Sequence, residues 1–124
     1  MAVRGIRGAI TVTVNEEAAI LEATEKLIRA MVEVNGVDPE DIASVMITVT
    51  HDLDAAFPAR GARALPGFEL VPLMCSNEIP VPGSLEKCIR VMMLVNTEKS
   101  SREIRHVFLE GASVLRPDLN SQVK

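Results

Sequence analysis

At 124 residues the chain has the length of one domain, and 48% hydrophobic against 24% charged residues exclude a disordered or fibrous protein. A net charge of −4 with no run of Lys or Arg argues against nucleic-acid binding through a basic face. No apolar stretch approaches the roughly 18 residues of a membrane span, and Arg4, Arg7 and Gly8 interrupt any signal-peptide core.

Residues 2–13 are β-branched and alternating, which predicts a strand. Its pleat puts Arg7 on one face with the small residues Gly5, Ala9 and Thr11, leaving room above the sheet. Asn15 is placed to cap a helix whose first turn holds Glu16 and Glu17. Apolar positions 20, 21, 27, 28, 31 and 34 form its stripe, and Asn35-Gly36 is its stop. Asp38–Asp41 reads as a turn. Ala43–Thr50 reads as a second strand, with Val45, Ile47 and Val49 on one face and Met46, Thr48 and Thr50 on the other.

A loop follows, with a short helix over Pro58–Leu65 that sets Arg60 and Arg63 on one side. Phe68–Cys75 predicts a third strand, an edge strand or a bulged one because Pro72 donates no hydrogen bond. Ser76–Ser84 is a loop containing Glu78. Leu85–Asn96 predicts the longest strand, with Arg90 sharing a face with Cys88, Met92 and Leu94. Arg105–Leu109 is a short fifth strand, and a helical turn and polar tail from about residue 117 follow. These elements predict an α+β domain over residues 1–124: a mixed sheet of about five strands covered on one face by one long helix. One helix can hardly cover such a sheet, so a homo-oligomer is expected.

Arg7, Arg90 and Arg105 all stand in apolar, strand-like runs. A guanidinium keeps its charge, so burying one requires an anion. Of the 13 basic residues nine are Arg, the side chain suited to bidentate grip on carboxylates. The pattern points to a pocket for a small organic anion. For Arg90 the competing reading is a structural ion pair, with Glu78 the nearest loop acid, and for Glu78 it is a solvated surface acid.

Other chemistries lack their signatures. His51, Asp52 and Asp54 do not have metal-ligand spacing. There is no GxSxG, no GxGxxG and no GxxxxGK[ST]. Cys75 and Cys88 form no CxxC pair, which fits reduced thiols in a cytoplasmic protein. No metal or cofactor is expected.

Arg4-Gly5-Ile6-Arg7-Gly8-Ala9, Phe57-Pro58-Ala59, Lys87–Met93, Ile104-Arg105-His106-Val107 and Val114–Leu119 together resemble the monofunctional trimeric chorismate mutases of bacteria, in order and spacing, from residue 2 to about 119. The resemblance implies a homotrimer with sheets around a central core, in a pseudo-barrel, and active sites between adjacent subunits. It implies the Claisen rearrangement of chorismate to prephenate in aromatic amino-acid biosynthesis, without a cofactor. It implies that Arg90 and Glu78 are catalytic and that Arg7 binds substrate. It implies that Phe57, Arg60, Arg63, Leu73, Met74 and Cys75 line the pocket or its entrance, and that Leu115 and Arg116 close over it. Phe108 stands where the family often has Tyr, and Arg60 where Lys is common. The alternative is a non-catalytic trimeric module that binds a carboxylate metabolite.

Overall fold

The computed structural model describes residues 1–115. Five strands form one mixed sheet: β1 (Ala2–Thr11), β2 (Ile42–Val49), β3 (Leu73–Asn77), β4 (Cys88–Thr97) and β5 (Val107–Leu109), in the order β3-β2-β4-β1-β5. β4 runs antiparallel to both β1 and β2. The edge strands β3 and β5 run parallel to β2 and β1 respectively. The fold is α+β.

One helix, α1 (Glu17–Asn35), covers one face of the sheet. Its Ile20, Leu27, Ile28 and Met31 are buried against Ile6 and Ile10 of β1 and Ile47 and Met93 of the central strands. Each such side chain contributes roughly 1.5–3 kcal/mol on leaving water. The helix ends at Gly36, whose φ of 61° is the left-handed conformation glycine adopts without a Cβ penalty.

A short helix, α2 (Ala59–Arg63), packs chiefly on α1 and touches the sheet only at edge strand β3. Gly61 allows this approach, because a Cβ there would lie 2.5 Å from the Leu21 carbonyl oxygen.

Several local expectations change. Asn15 does not cap α1, whose N-cap is Glu16 without a side-chain bond. Asn15 instead donates to the Asp54 carboxylate at 2.7 Å and accepts from the Asp54 and Ala55 N–H groups, tying the loop after β2 to the helix start. The third strand begins at Leu73, not Phe68, because residues 68–72 form turns; the Pro72 carbonyl accepts from Val45 N–H just before the ladder begins. Arg105 lies before β5 with an exposed side chain. Its main chain is the part that is held, by the buried Asn35 amide, which accepts from the Arg105 N–H at 2.8 Å and donates to its carbonyl at 2.9 Å. Its apolar neighbours Ile104 and Val107 are buried and its own side chain is not.

Candidate active site

The face of the sheet opposite α1 is mostly open within the chain; only a small cluster of Ala9, Cys88, Phe108 and Ala112 is buried there, packed by Leu85 and Leu115. Two rungs of the ladder build it. One reads Met74, Met46, Met92, Arg7 across β3, β2, β4 and β1. The next reads Ser76, Thr48, Arg90, Ala9, Phe108 across all five strands. The pairing therefore sets both strand arginines one rung apart above the small residue Ala9.

They face one cavity of about 410 Å³, lined also by Met46, Thr48, Phe108 and Leu115. That volume is within the roughly 300–1,000 Å³ of small-molecule sites. The Arg7 N–H points toward β5 one residue before that strand begins, and the His106 ring accepts from it through Nδ1 at 2.9 Å. The bond anchors β1 at Arg7.

Glu78 reaches Arg90 from the loop after β3. Its N–H donates to the Val49 carbonyl at 3.0 Å, and its carbonyl lies 3.1 Å from His51 Nε2. Its Oε2 stands 3.0 Å from Arg90 Nε, with side-chain exposures of 16% for Glu78 and 44% for Arg90. Arg90 is thus a half-open cation with one acid beside it, not a buried ion pair.

The start of β4 is clamped. Thr50 Oγ1 accepts from Cys88 N–H at 3.0 Å, and both Asp52 oxygens accept from Lys87 N–H. This holds Lys87 at a φ of 47°, a conformation rare outside glycine. Partial desolvation pushes the Asp52 carboxyl up, but hydrogen bonds from the Thr50 hydroxyl and the Lys87 N–H outweigh it and hold the group below its ordinary value. Burial pushes the Cys88 thiol up to about 11, against the pull of the Arg90 guanidinium.

The structure brings Arg7, Arg90, Glu78, Phe108 and Leu115 together. It places Phe57, Arg60 and Arg63 elsewhere in the chain. Phe57 is 73% exposed, and Arg60 binds Glu17 at the start of α1 at 2.6 Å. Leu73 and Cys75 pair with Val45 and Ile47 and turn their side chains to the helix-covered face, whereas Met74 points to the open one. Arg116 and the tail expected from about residue 117 lie outside the described residues. Thr48, Met46 and Met92 line the cavity although nothing in their residue types announces it. The signal for them is positional: the pleat sets them on the open face, and only the register sets them beside the arginines. His51, Asp52 and Asp54 are occupied by Glu78, Lys87 and Asn15. Among the described residues no group of three or more His, Cys, Asp and Glu is arranged for a metal ion.

Residues 3–119 match the family model described as chorismate mutase type I. The chain is 48% identical over 120 residues to the protein named chorismate mutase AroH of Bacillus subtilis (strain 168), covering 97% of this chain and 94% of that one. It is 51% identical over 120 residues to chorismate mutase AroH of Thermus thermophilus, covering 96% and 98%. Among solved structures, a chorismate mutase from Clostridium thermocellum superposes with a TM-score of 0.88 at 55% identity, covering 90% of this chain and 99% of that one.

Proposed function

Since this chain belongs to the chorismate mutase type I family and is a chorismate mutase, we propose that Arg90, Glu78 and Arg7 carry its reaction, the rearrangement of chorismate to prephenate in aromatic amino-acid biosynthesis. The observation behind this assignment is the meeting of two arginines at a single cavity of about 410 Å³, with the Glu78 carboxylate 3.0 Å from the Nε of one of them, Arg90.

The reaction is unimolecular and pericyclic. One ether C–O bond breaks as a C–C bond forms, and no proton moves. The enzyme has to hold a dianion in a compact, chair-like conformer and stabilise the charge that separates as the ether stretches. Holding the folded conformer removes part of the entropic barrier. Preorganised charge aimed at the developing charge supplies the rest, and this is usually the largest catalytic term. Arg90 donates to the ether oxygen and to one carboxylate. Glu78 accepts from the ring hydroxyl and offsets positive charge on the ring fragment. Arg7 holds a carboxylate. Neither nucleophile nor metal has a role.

The working unit in this reading is a homotrimer. The open sheet face exposes Met46, Met74, Met92, Leu94 and Val3, by 37% to 64% each. Contiguous apolar surface of this kind marks an interface. Packing it against a second and third copy buries the three methionines and leaves Arg7 and Arg90 at the seam. Phe57, Arg60 and Arg63 of one chain then reach the site of its neighbour. On the edge strand Met74 borders the mouth with its side chain and Leu73 and Cys75 with their main chain, Leu115 and Arg116 close it, and Arg60, Arg63 and Arg116 attract the dianion. Free Cys75 and Cys88 fit a reducing cytoplasm.

The direct test is to add purified protein to chorismate and follow the loss of its absorbance. No acceleration over buffer would remove the assignment.

A further inference from the structure

Glu78 sits on a loop, yet the reaction needs its carboxylate in one orientation. We infer that the Thr48 hydroxyl is the positioning group for Glu78, and so decides which carboxylate oxygen meets the substrate. The inference rests on the assignment of Glu78 and Arg90 to the reaction.

Thr48 Oγ1 donates to Glu78 Oε2 at 2.7 Å, and Arg90 Nε faces that same oxygen at 3.0 Å. Thr48 and Arg90 are direct cross-strand partners, so β2 and β4 present hydroxyl and guanidinium side by side. The Glu78 main chain is tied as well, to the end of β2 at Val49 and to His51 in the turn that follows it. Oε2 is therefore engaged, and no described residue donates a hydrogen bond to Oε1. Oε1 is the oxygen left for the ring hydroxyl.

Arg90 alone does not fix this arrangement. A guanidinium offers N–H groups in a fork, and a carboxylate free to turn settles on two of them. Those are the donors that the ether oxygen and the substrate carboxylate require. By holding Oε2, the Thr48 hydroxyl keeps Glu78 from occupying the whole fork. Threonine suits the task because β-branching restricts χ1 and aims the hydroxyl, and because it belongs readily in a strand.

Thr48→Val keeps the shape and removes the donor, and Thr48→Ser keeps the donor. Steady-state kinetics of both, with Arg90→Ala and Glu78→Ala in the same assay, test the inference. Thr48→Val is expected to lower kcat about 10- to 100-fold, the scale of a misplaced reacting group. Its KM should change less than about threefold, because the Glu78 contribution grows toward the transition state. Thr48→Ser should stay within about threefold of the parent. Circular dichroism checks folding, and Thr48→Ala serves as the hydroxyl-free variant if the valine form does not fold. A hydroxyl-free variant as active as the parent overturns the inference, as does a serine variant as impaired as the valine one. If Arg90→Ala and Glu78→Ala collapse while the hydroxyl-free variant does not, only the role of Thr48 is lost. If Arg90→Ala or Glu78→Ala stays active, the site assignment itself fails.

Discussion

Arg90 Nε and Glu78 Oε2 meet at 3.0 Å although one stands on central strand β4 and the other on the loop after edge strand β3. The pair is asymmetric, since Glu78 is largely covered while nearly half of Arg90 stays open. With one partner half open to water, such a pair does little for stability. Its value lies in holding a cation with free N–H groups toward the cavity.

Arg90→Ala should leave the fold intact and reduce kcat/KM at least about 100- to 1,000-fold, the usual cost of one preorganised donor. Far-ultraviolet circular dichroism and chorismate turnover check the two halves of this statement. Activity within about tenfold of the parent would falsify the role assigned to Arg90.

Arg7→Ala and Arg63→Ala proteins, unfolded together and refolded, should recover activity that neither has alone. Arg7 lines the cavity, while Arg63 lies on α2, the helix that packs on α1. If the two serve one site from different chains, some mixed trimers contain an intact site. A monomer by sedimentation would refute the assembly.

Phe108→Tyr should lower KM more than it raises kcat. Phe108 lines the cavity with Arg7 and Arg90. A hydroxyl there gains a hydrogen bond to a substrate carboxylate, at most about 1.5–3 kcal/mol. The bond serves ground state and transition state alike, so it appears in KM. An unchanged or higher KM means that the ring does not face the substrate.

Cys88 should resist alkylation in the folded protein at neutral pH, with Cys75 reacting first. Its thiol is raised from 9.0 to about 11 by burial, and the thiolate is the reactive form. The sign of the linked stability follows. A folded-state value above the unfolded one favours folding below about pH 9, and that contribution is lost as pH rises through about 11. Denaturant midpoints should fall across that window, and less steeply in Cys88→Ala. Rapid modification of Cys88 at pH 7 contradicts this.

Gly61→Ala should destabilise the fold by about 1–3 kcal/mol, the scale of overpacking. The new methyl meets the Leu21 backbone, which cannot swing aside as a side chain would. A urea midpoint equal to that of the parent would show that α1 and α2 separate at no cost.

Local pattern alone determined the faces of this protein. A pleat has period two, so Arg90 with Cys88, Met92 and Leu94, and Arg7 with Gly5, Ala9 and Thr11, follow from position in the chain. The helix stop at Asn35-Gly36 is equally local. The quoted motifs carried the family resemblance over nearly the whole length. Only tertiary structure decided who meets whom. Strand order and register are set by contacts between distant segments, and these put Thr48 and Ala9 on either side of Arg90. A threonine in a strand looks like any other β-branched residue until its cross-strand partner is known. The same holds for Asn15 and Arg105: a good capping residue found better partners in a loop, and an arginine in an apolar run pointed to solvent. Side-chain type states what a residue can do, and the long-range pairing selects which of those options is used.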